Sequence, residues 1–333
     1  ETGGLNQSYF QAVFFALPAS MSYQAFEKVL AKLMVEHGIL GAQVHPSHVE
    51  VGSTNPLLVI QSFLQDDLID SCSLSSLADV AFEQLVQTKT GHSFPAMRAA
   101  YLSADDKRAA VFALHHSIID GMSWRILFSD MSSLLQSPDN SLSSSPNSLL
   151  DWQKALEDEM PRWLSQKQHW LEQRQGKPLI EREASNERAH QRILLDEKVS
   201  ELLLDTIPKQ YQCQPQEAIL SVLYIALAKQ YKQTDISMML ESHGRADISE
   251  LDLTRTLGWF TSEYPIRMAG KAALLFDLNH PEAPYEAVVQ LVRSTLLRVP
   301  NEGVGYSVLR YLIDESSPIS FEHRNTSLSL IHI

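Results

Sequence analysis

Two adjacent histidines, His115 and His116, close an apolar run and lead into Asp120 and Gly121 in the stretch HHSIIDG (115–121). An imidazole takes or gives a proton near neutral pH, because its unperturbed pKa is about 6.5. A carboxylate shortly after the pair, on a turn made by a glycine, can fix the loop and hold the ring's orientation and tautomer; it can equally reach a distant arginine. Adjacent strand residues point to opposite faces, so the two rings make a poor site for one shared metal ion. No HExxH pattern or third ligand accompanies them, and no metal site is expected. Further on, LESHGR (240–245) ends a strand on Glu241, with His243 and Arg245 just beyond. Taken singly, these are a solvated strand-end carboxylate and two loop side chains. Trp259 and Phe260 in RTLGWFTSEYP (255–265), and Tyr306 in VPNEGVGYSVLRY (299–311), read singly as ordinary core aromatics. GVG lacks the spacing of a dinucleotide fingerprint, and neither a Walker loop nor a GxSxG elbow occurs.

The elements that must position these residues follow from hydrophobic periodicity. Gln7 to Leu17 reads as a strand, and a helix follows with Tyr23, Phe26, Leu30, Leu33 and Met34 on one stripe and Gly38 as its C′ residue. KRAAVFALHH (107–116) is a nearly continuous apolar run, the pattern of a strand buried on both faces. Alternation puts His116 with Phe112 and Leu114, and His115 with Val111 and Ala113. After the Asp120-Gly121 turn, Trp124, Leu127, Phe128, Met131, Leu134 and Leu135 form a helical stripe with Ser123 as its N-cap. Residues 136–148, rich in Ser, Pro and Asn, read as a loop, and Leu150 to Leu171 as a further helix. A charged stretch with Gly-Lys-Pro near its start is the candidate linker. The division expected is therefore an N-terminal lobe over 1–172, a linker over 173–191 and a C-terminal lobe over 192–333. That second lobe opens with a strand at Arg192–Leu195. It continues with a helix around Glu217–Tyr231 (Ile219, Val222, Leu223 and Leu227 on one face) and a strand over Ile236–Glu241. Mixed strands and helices in two successive lobes give an α/β fold.

Bulk properties narrow the partners. The 333 residues are 44% hydrophobic and carry 27 Lys and Arg against 40 Asp and Glu, a net charge of −13. Phosphate backbones and anionic membranes call for concentrated basic surface, so nucleic acid and membrane are not expected as partners. Cys72 and Cys213 stand far apart with no metal or redox spacing, which suits a reducing cytoplasmic setting. No apolar run reaches the roughly 18–20 residues of a spanning helix.

Taken as an ordered set, the motifs become specific. HHSIIDG resembles the HHxxxDG motif of the condensation-domain superfamily of nonribosomal peptide synthetases. Its continuation MSWRILFSDM (122–131) looks like the epimerization branch, and LESHGR is similar to that branch's L-E-G-H-G-R. RTLGWFTSEYP and VPNEGVGYSVLRY match two further signatures of the branch, and LNQS (5–8) and SPISF (317–321) resemble flanking strand segments. The resemblance implies a two-lobed fold like chloramphenicol acetyltransferase, with a tunnel that admits a carrier protein's phosphopantetheine arm. It implies inversion of the Cα centre of an aminoacyl or peptidyl thioester, with no cofactor bound by the domain itself. The partners implied are a peptidyl carrier protein domain upstream and a condensation domain downstream. Carried over residue by residue, His116 and Glu241 become the proton-transfer pair. His115, Asp120 and Gly121 shape the motif loop, and Trp124, Arg125, His243, Arg245, Trp259, Phe260 and Tyr306 line or support the tunnel.

Three departures stand out. Ser242 occupies the place of the family's Gly; if that position requires φ > 0, the serine costs about 1 kcal/mol or more and misaims Glu241. Ala246-Asp247 replaces the usual Glu after the Arg. Against the family pattern the chain is shortened at both ends, with the second lobe incomplete, and residues 328–333 (LSLIHI) are read as an assembly artefact. Three other functions compete with epimerization. One is a condensation domain, in which His116 assists amine attack and Glu241 is not needed. A second is a catalytically silent module that docks carrier proteins. The third is an acyltransferase using free CoA thioesters.

Overall fold

A computed structural model describes residues 9–51, 59–64, 74–87, 92–175, 192–270, 285–313 and 329–330. The chain divides into two compact units: residues 1–154 with 248–260, and residues 155–247 with 261–333. The break at Lys154 precedes the expected boundary, and 248–260 belongs with the first unit although the chain on either side of it belongs to the second. Residues 176–191 of the candidate linker lie outside the described residues, as do LNQS, SPISF and Cys72.

In the first unit, β1 (Phe10–Leu17), β4 (Val59–Leu64), β6 (Met97–Ala104) and β7 (Lys107–His115) form a sheet in the order β1-β7-β6-β4. The β1–β7 and β7–β6 pairs are antiparallel and the β4–β6 pair is parallel. Short strands β2 (Gln43–Val44), β3 (Val49–Glu50) and β5 (Phe94–Pro95) make a second sheet. The unbroken apolar run of β7 has the cause expected of it, helices on both faces. Phe112 and Leu114 face α1 (Tyr23–Glu36) and α3 (Gly121–Gln136), sharing a core with Phe26, Leu30, Leu33, Trp124 and Leu127. Val111 and Ala113 face α2 (Leu74–Leu85) through Leu77, Ala81 and Leu85.

Several local expectations give way. The α1 helix ends at His37, and Gly38 opens a 3-10 turn over Gly38–Gly41 without the left-handed φ of a C′ glycine. Asp120, not Ser123, is the N-cap of α3; its carboxylate accepts the Ser123 N–H at 2.7 Å. The helix expected over 150–171 is broken into α4 (Leu149–Asp158), α5 (Met160–Ser165) and α6 (Lys167–Gln173). Pro161 sits in the first turn of α5, where its missing N–H costs nothing.

The second unit carries α7 (Glu197–Glu201), α8 (Ile207–Gln210), α9 (Pro215–Tyr231), α10 (Tyr285–Leu296) and α11 (Val304–Tyr311). Its sheet holds β8 (Asp235–Ser242), β9 (Ser262–Ala269) and β10 (Ser329–Leu330), with β8 antiparallel to β9 and parallel to β10. Arg192–Leu195 is not a strand, and Ile193 and Leu194 are 74% and 83% exposed. The buried face of α9 is Ala218, Leu220, Ser221, Tyr224, Ile225 and Ala228, not the Ile219–Val222–Leu223–Leu227 face expected. Helix α9 is apolar nearly all round, so periodicity alone could not choose its inner side. Trp163, Trp170, Tyr264 and Tyr306 are buried in this unit, with Trp170 against both tyrosines at 6.2 and 5.6 Å between ring centres.

Candidate functional site

The first group of site residues gathers where β7 ends. His115 is the last strand residue and is buried; Phe10, its partner on β1, meets its ring edge-on at 5.4 Å and Phe94 at 5.7 Å. The same two phenyl rings hold the Arg98 guanidinium at 5.3 and 5.2 Å, and Arg98 donates to the carbonyls of Leu85 and Gln87. Burial lowers the pKa of Arg98. His115 Nδ1 lies 2.7 Å from the Ser117 hydroxyl, which helps to set the ring's orientation.

The strand stops at His115, so the pleat does not place His116 with Phe112 and Leu114 as alternation suggested. His116 instead opens a 3-10 turn (His116–Ile118), its N–H donating to the Tyr9 carbonyl at 2.8 Å. The Tyr9 ring stacks on its imidazole at 4.7 Å and 24°, and the Trp259 indole meets it at 5.0 Å. The ring is half-buried, and its Nδ1 is buried without a hydrogen-bond partner among the described residues.

Asp120 is 2% exposed and links the motif to the segment carrying Trp259. One oxygen caps α3 and the other accepts the Phe260 N–H at 3.1 Å. A carboxylate that receives two backbone N–H groups from different segments ties those segments together at the helix N-terminus. Gly121 begins the helix. The Ser123 hydroxyl donates to the Gly258 carbonyl at 2.9 Å and accepts the Gly258 N–H at 3.1 Å. Phe260 is buried beside Trp152, while Trp259 is 48% exposed. Trp124 is a core residue whose indole N–H donates to Gln11 at 2.7 Å; Arg125 is exposed on α3. Away from the motif loop, a cavity of about 270 Å³ is lined by His37, Val51, Asn147, Arg255 and Leu257 among others, and holds neither motif histidine.

The remaining site residues lie in the second unit. Glu241 is half-buried near the end of β8, opposite Glu263 of β9. Ser242, opposite Ser262, is a strand residue without positive φ; the left-handed residue of the motif is Gly244, at φ 67°. The strain considered for Ser242 therefore does not arise. Its hydroxyl donates instead to the Glu302 carbonyl at 2.6 Å, and His243 Nε2 stands 3.3 Å from the Glu302 carboxylate. His243 Nδ1 accepts the Arg245 N–H at 3.0 Å. Asn301, Glu302 and Gly303 are three consecutive left-handed residues, with φ of 47°, 53° and 83°. A Cβ on Gly303 would stand 2.0 Å from the Tyr264 ring. Burial, with Glu302 adding to it, pushes the Tyr264 phenol up to about 12. Tyr306 is buried against Trp170.

Tyr9, Ser117, the bridging role of Ser123, and Glu302 were not legible as site residues in the sequence. Arg255 was within reach, since a lone cation opens the RTLGWF motif directly ahead of Trp259 and Phe260. No group of three or more His, Cys, Asp or Glu suited to a metal ion occurs among the described residues. No described helix is long and apolar enough to cross a membrane.

Comparison with known proteins gives the fold and the family. A linear gramicidin synthase of Brevibacillus parabrevis is 27% identical over 328 residues, covering 92% of this chain and 6% of that protein. Bacitracin synthase 2 of Bacillus licheniformis is 31% identical over 234 residues, 64% of this chain and 9% of its own length. The chain thus spans less than a tenth of these curated relatives. The crystal structure of the epimerization domain from the third module of tyrocidine synthetase B superposes with a TM-score of 0.77 at 22% identity. That match covers 97% of this chain and 74% of the other, and shows that the α/β fold is the expected one. The family model described as "Condensation domain" matches residues 2–323, nearly the whole chain, and the protein belongs to the condensation-domain family.

Proposed function

We propose that the chain epimerizes the Cα of an aminoacyl or peptidyl thioester carried on the phosphopantetheine arm of a carrier protein, in nonribosomal peptide synthesis. The observation that carries this reading is the state of His116: a half-exposed imidazole at the end of a buried strand, stacked on Tyr9 and in contact with the tilted Trp259 indole, with Nδ1 without a partner among the described residues. Inversion breaks the Cα–H bond, its electron pair moves into the thioester carbonyl as an enolate, and a proton returns to Cα from the opposite face. Two acid/base groups are needed, and the motifs assign His116 and Glu241 to them. Either can take the first proton; the other supplies the second, and exchange with solvent resets both. The epimerization-type motifs support the branch, and the backbone beside Glu241 is regular strand, without the strain considered for Ser242.

The family model is compatible with a second reading, peptide-bond formation by a condensation domain, in which Glu241 is dispensable. The two separate in one experiment. A carrier protein loaded with an L-aminoacyl thioester is incubated in D₂O with wild type, His116→Ala and Glu241→Gln. Deuterium at Cα and D-product in wild type, each reduced at least ~100-fold in both variants, is the expected outcome. Amide formation with a second loaded carrier, unaffected by Glu241→Gln, would establish condensation instead. Carrier binding with neither reaction would mark a silent docking module.

A further inference from the structure

Trp259 is 48% exposed, so burial does not hold it against His116, and it lies on a segment without helix or strand. Its position depends on how its neighbours are anchored. Those anchors converge on α3. Asp120 takes the Phe260 N–H, and Ser123 both donates to and accepts from Gly258. Asp130, further along the helix, holds the Arg255 guanidinium.

The last of these is an ion pair whose carboxylate is buried, while the guanidinium side chain is 28% exposed. Asp130 and His37 are 4% and 5% exposed, and His37 Nε2 lies 2.6 Å from the second Asp130 oxygen. Arg255 Nε also donates to the Ser143 carbonyl at 2.9 Å. Thr256 adds a bond to the Asn147 carbonyl at 2.9 Å. A guanidinium whose fork is shared between a buried carboxylate, itself held from behind, and a backbone carbonyl has a fixed orientation, which an exposed lysine pair would not supply.

We propose that Arg255 is a positioning residue for His116: clamped on Asp130, it fixes residues 255–260 along α3 and so seats the Trp259 indole against the imidazole. The inference rests on His116 being the proton-transfer group, but its structural half can be read without any reaction.

The test compares wild type, Arg255→Gln, Arg255→Lys and Ser123→Ala, each with labelled histidine. The His116 ring signal is assigned by its loss in His116→Gln. An indole this close displaces that signal through its ring current. In Arg255→Gln the displacement collapses and the kcat for Cα exchange falls by ~10–100-fold, while the KM for the loaded carrier is little changed. Arg255→Lys, which keeps the charge without the fork, lies between. A folded Arg255→Gln whose His116 signal is unmoved overturns the proposal, whatever its activity. Should that variant not fold, Arg255→Lys decides by the same signal, and an unmoved signal there is equally fatal; Ser123→Ala, which removes both Gly258 bonds and leaves the ion pairs, is the comparison with the clamp in place. A wild type without exchange would defeat the epimerase reading and still leave the ring-current result to judge Arg255.

Discussion

Ser242 shows how one residue can depart from a family pattern without straining the backbone. In the sequence it stands where the resemblance expects Gly, and a left-handed requirement there would strain it. Position 242 is instead extended strand, and the serine hydroxyl donates to the Glu302 carbonyl at 2.6 Å. That bond falls on a turn whose residues 301–303 are all left-handed, each of the two non-glycines at a cost of about 1 kcal/mol or more. Restoring the family residue should therefore weaken the protein. Ser242→Gly loses a hydrogen bond and adds a flexible residue to a strand, so a loss of about 1–2 kcal/mol in urea unfolding is expected. A variant as stable as wild type would show that the hydroxyl contributes nothing.

Among the elements, the 301–303 turn is held by geometry that only one residue type permits at its last position. Gly303 has φ 83°, and a Cβ there would stand 2.0, 2.4 and 2.8 Å from three atoms of the Tyr264 ring. Gly305 differs in kind, because it has no left-handed φ and the two nearest atoms to its Cβ belong to the Gln166 side chain, not to a ring. Gly303→Ala should cost about 2–4 kcal/mol, the sum of left-handed strain and overpacking, measured as a fall in the denaturation midpoint. Gly305→Ala avoids the left-handed strain, although it must displace the buried Gln166 amide that donates to Asn301 at 2.8 Å, and should cost less. Equal losses at the two sites would contradict this account of the turn. The contrast is invisible in GVG, where the two glycines flank a single valine.

Across the whole molecule, the alkaline limit of stability should belong to the second unit. The phenols of Tyr264 and Tyr285 are pushed up to about 12 from an ordinary 10.0, in both cases chiefly by burial, and burial raises Tyr224 as well. A buried phenol disfavours its charged form, so the folded chain holds these protons more tightly than the unfolded chain. Their contribution is complete below pH 10 and is lost as pH rises through 12, by up to ~1.4 kcal/mol per pH unit for each tyrosine. Tyrosinate absorbance should then rise together with a change in the fluorescence of the buried Trp163 and Trp170. Tyrosine ionisation that runs ahead of the fluorescence change, with the fold intact, would refute it.

The order of motifs along the chain was legible without coordinates, because each is a short run whose residue types are dictated locally. So were β7, read from an apolar run that two helix layers explain, and α1 and α3, read from their stripes. His115, His116 and Asp120 were identifiable as a group for the same reason. Beyond local pattern the reading failed in definite ways. The end of β7 released His116 from the pleat, a helix apolar on every side buried the face not chosen, and Ile193 and Leu194 are exposed where a strand was expected. Above all, residues 248–260 join the first unit, bringing Phe260 to Asp120, Gly258 to Ser123 and Arg255 to Asp130 across separations of 140, 135 and 125 residues. No periodicity encodes such pairings, since they depend on which segments topology brings together. The sequence determined which groups could move a proton; the tertiary structure decided what holds His116 and Trp259 together, because that contact is built from buried polar anchors distant along the chain.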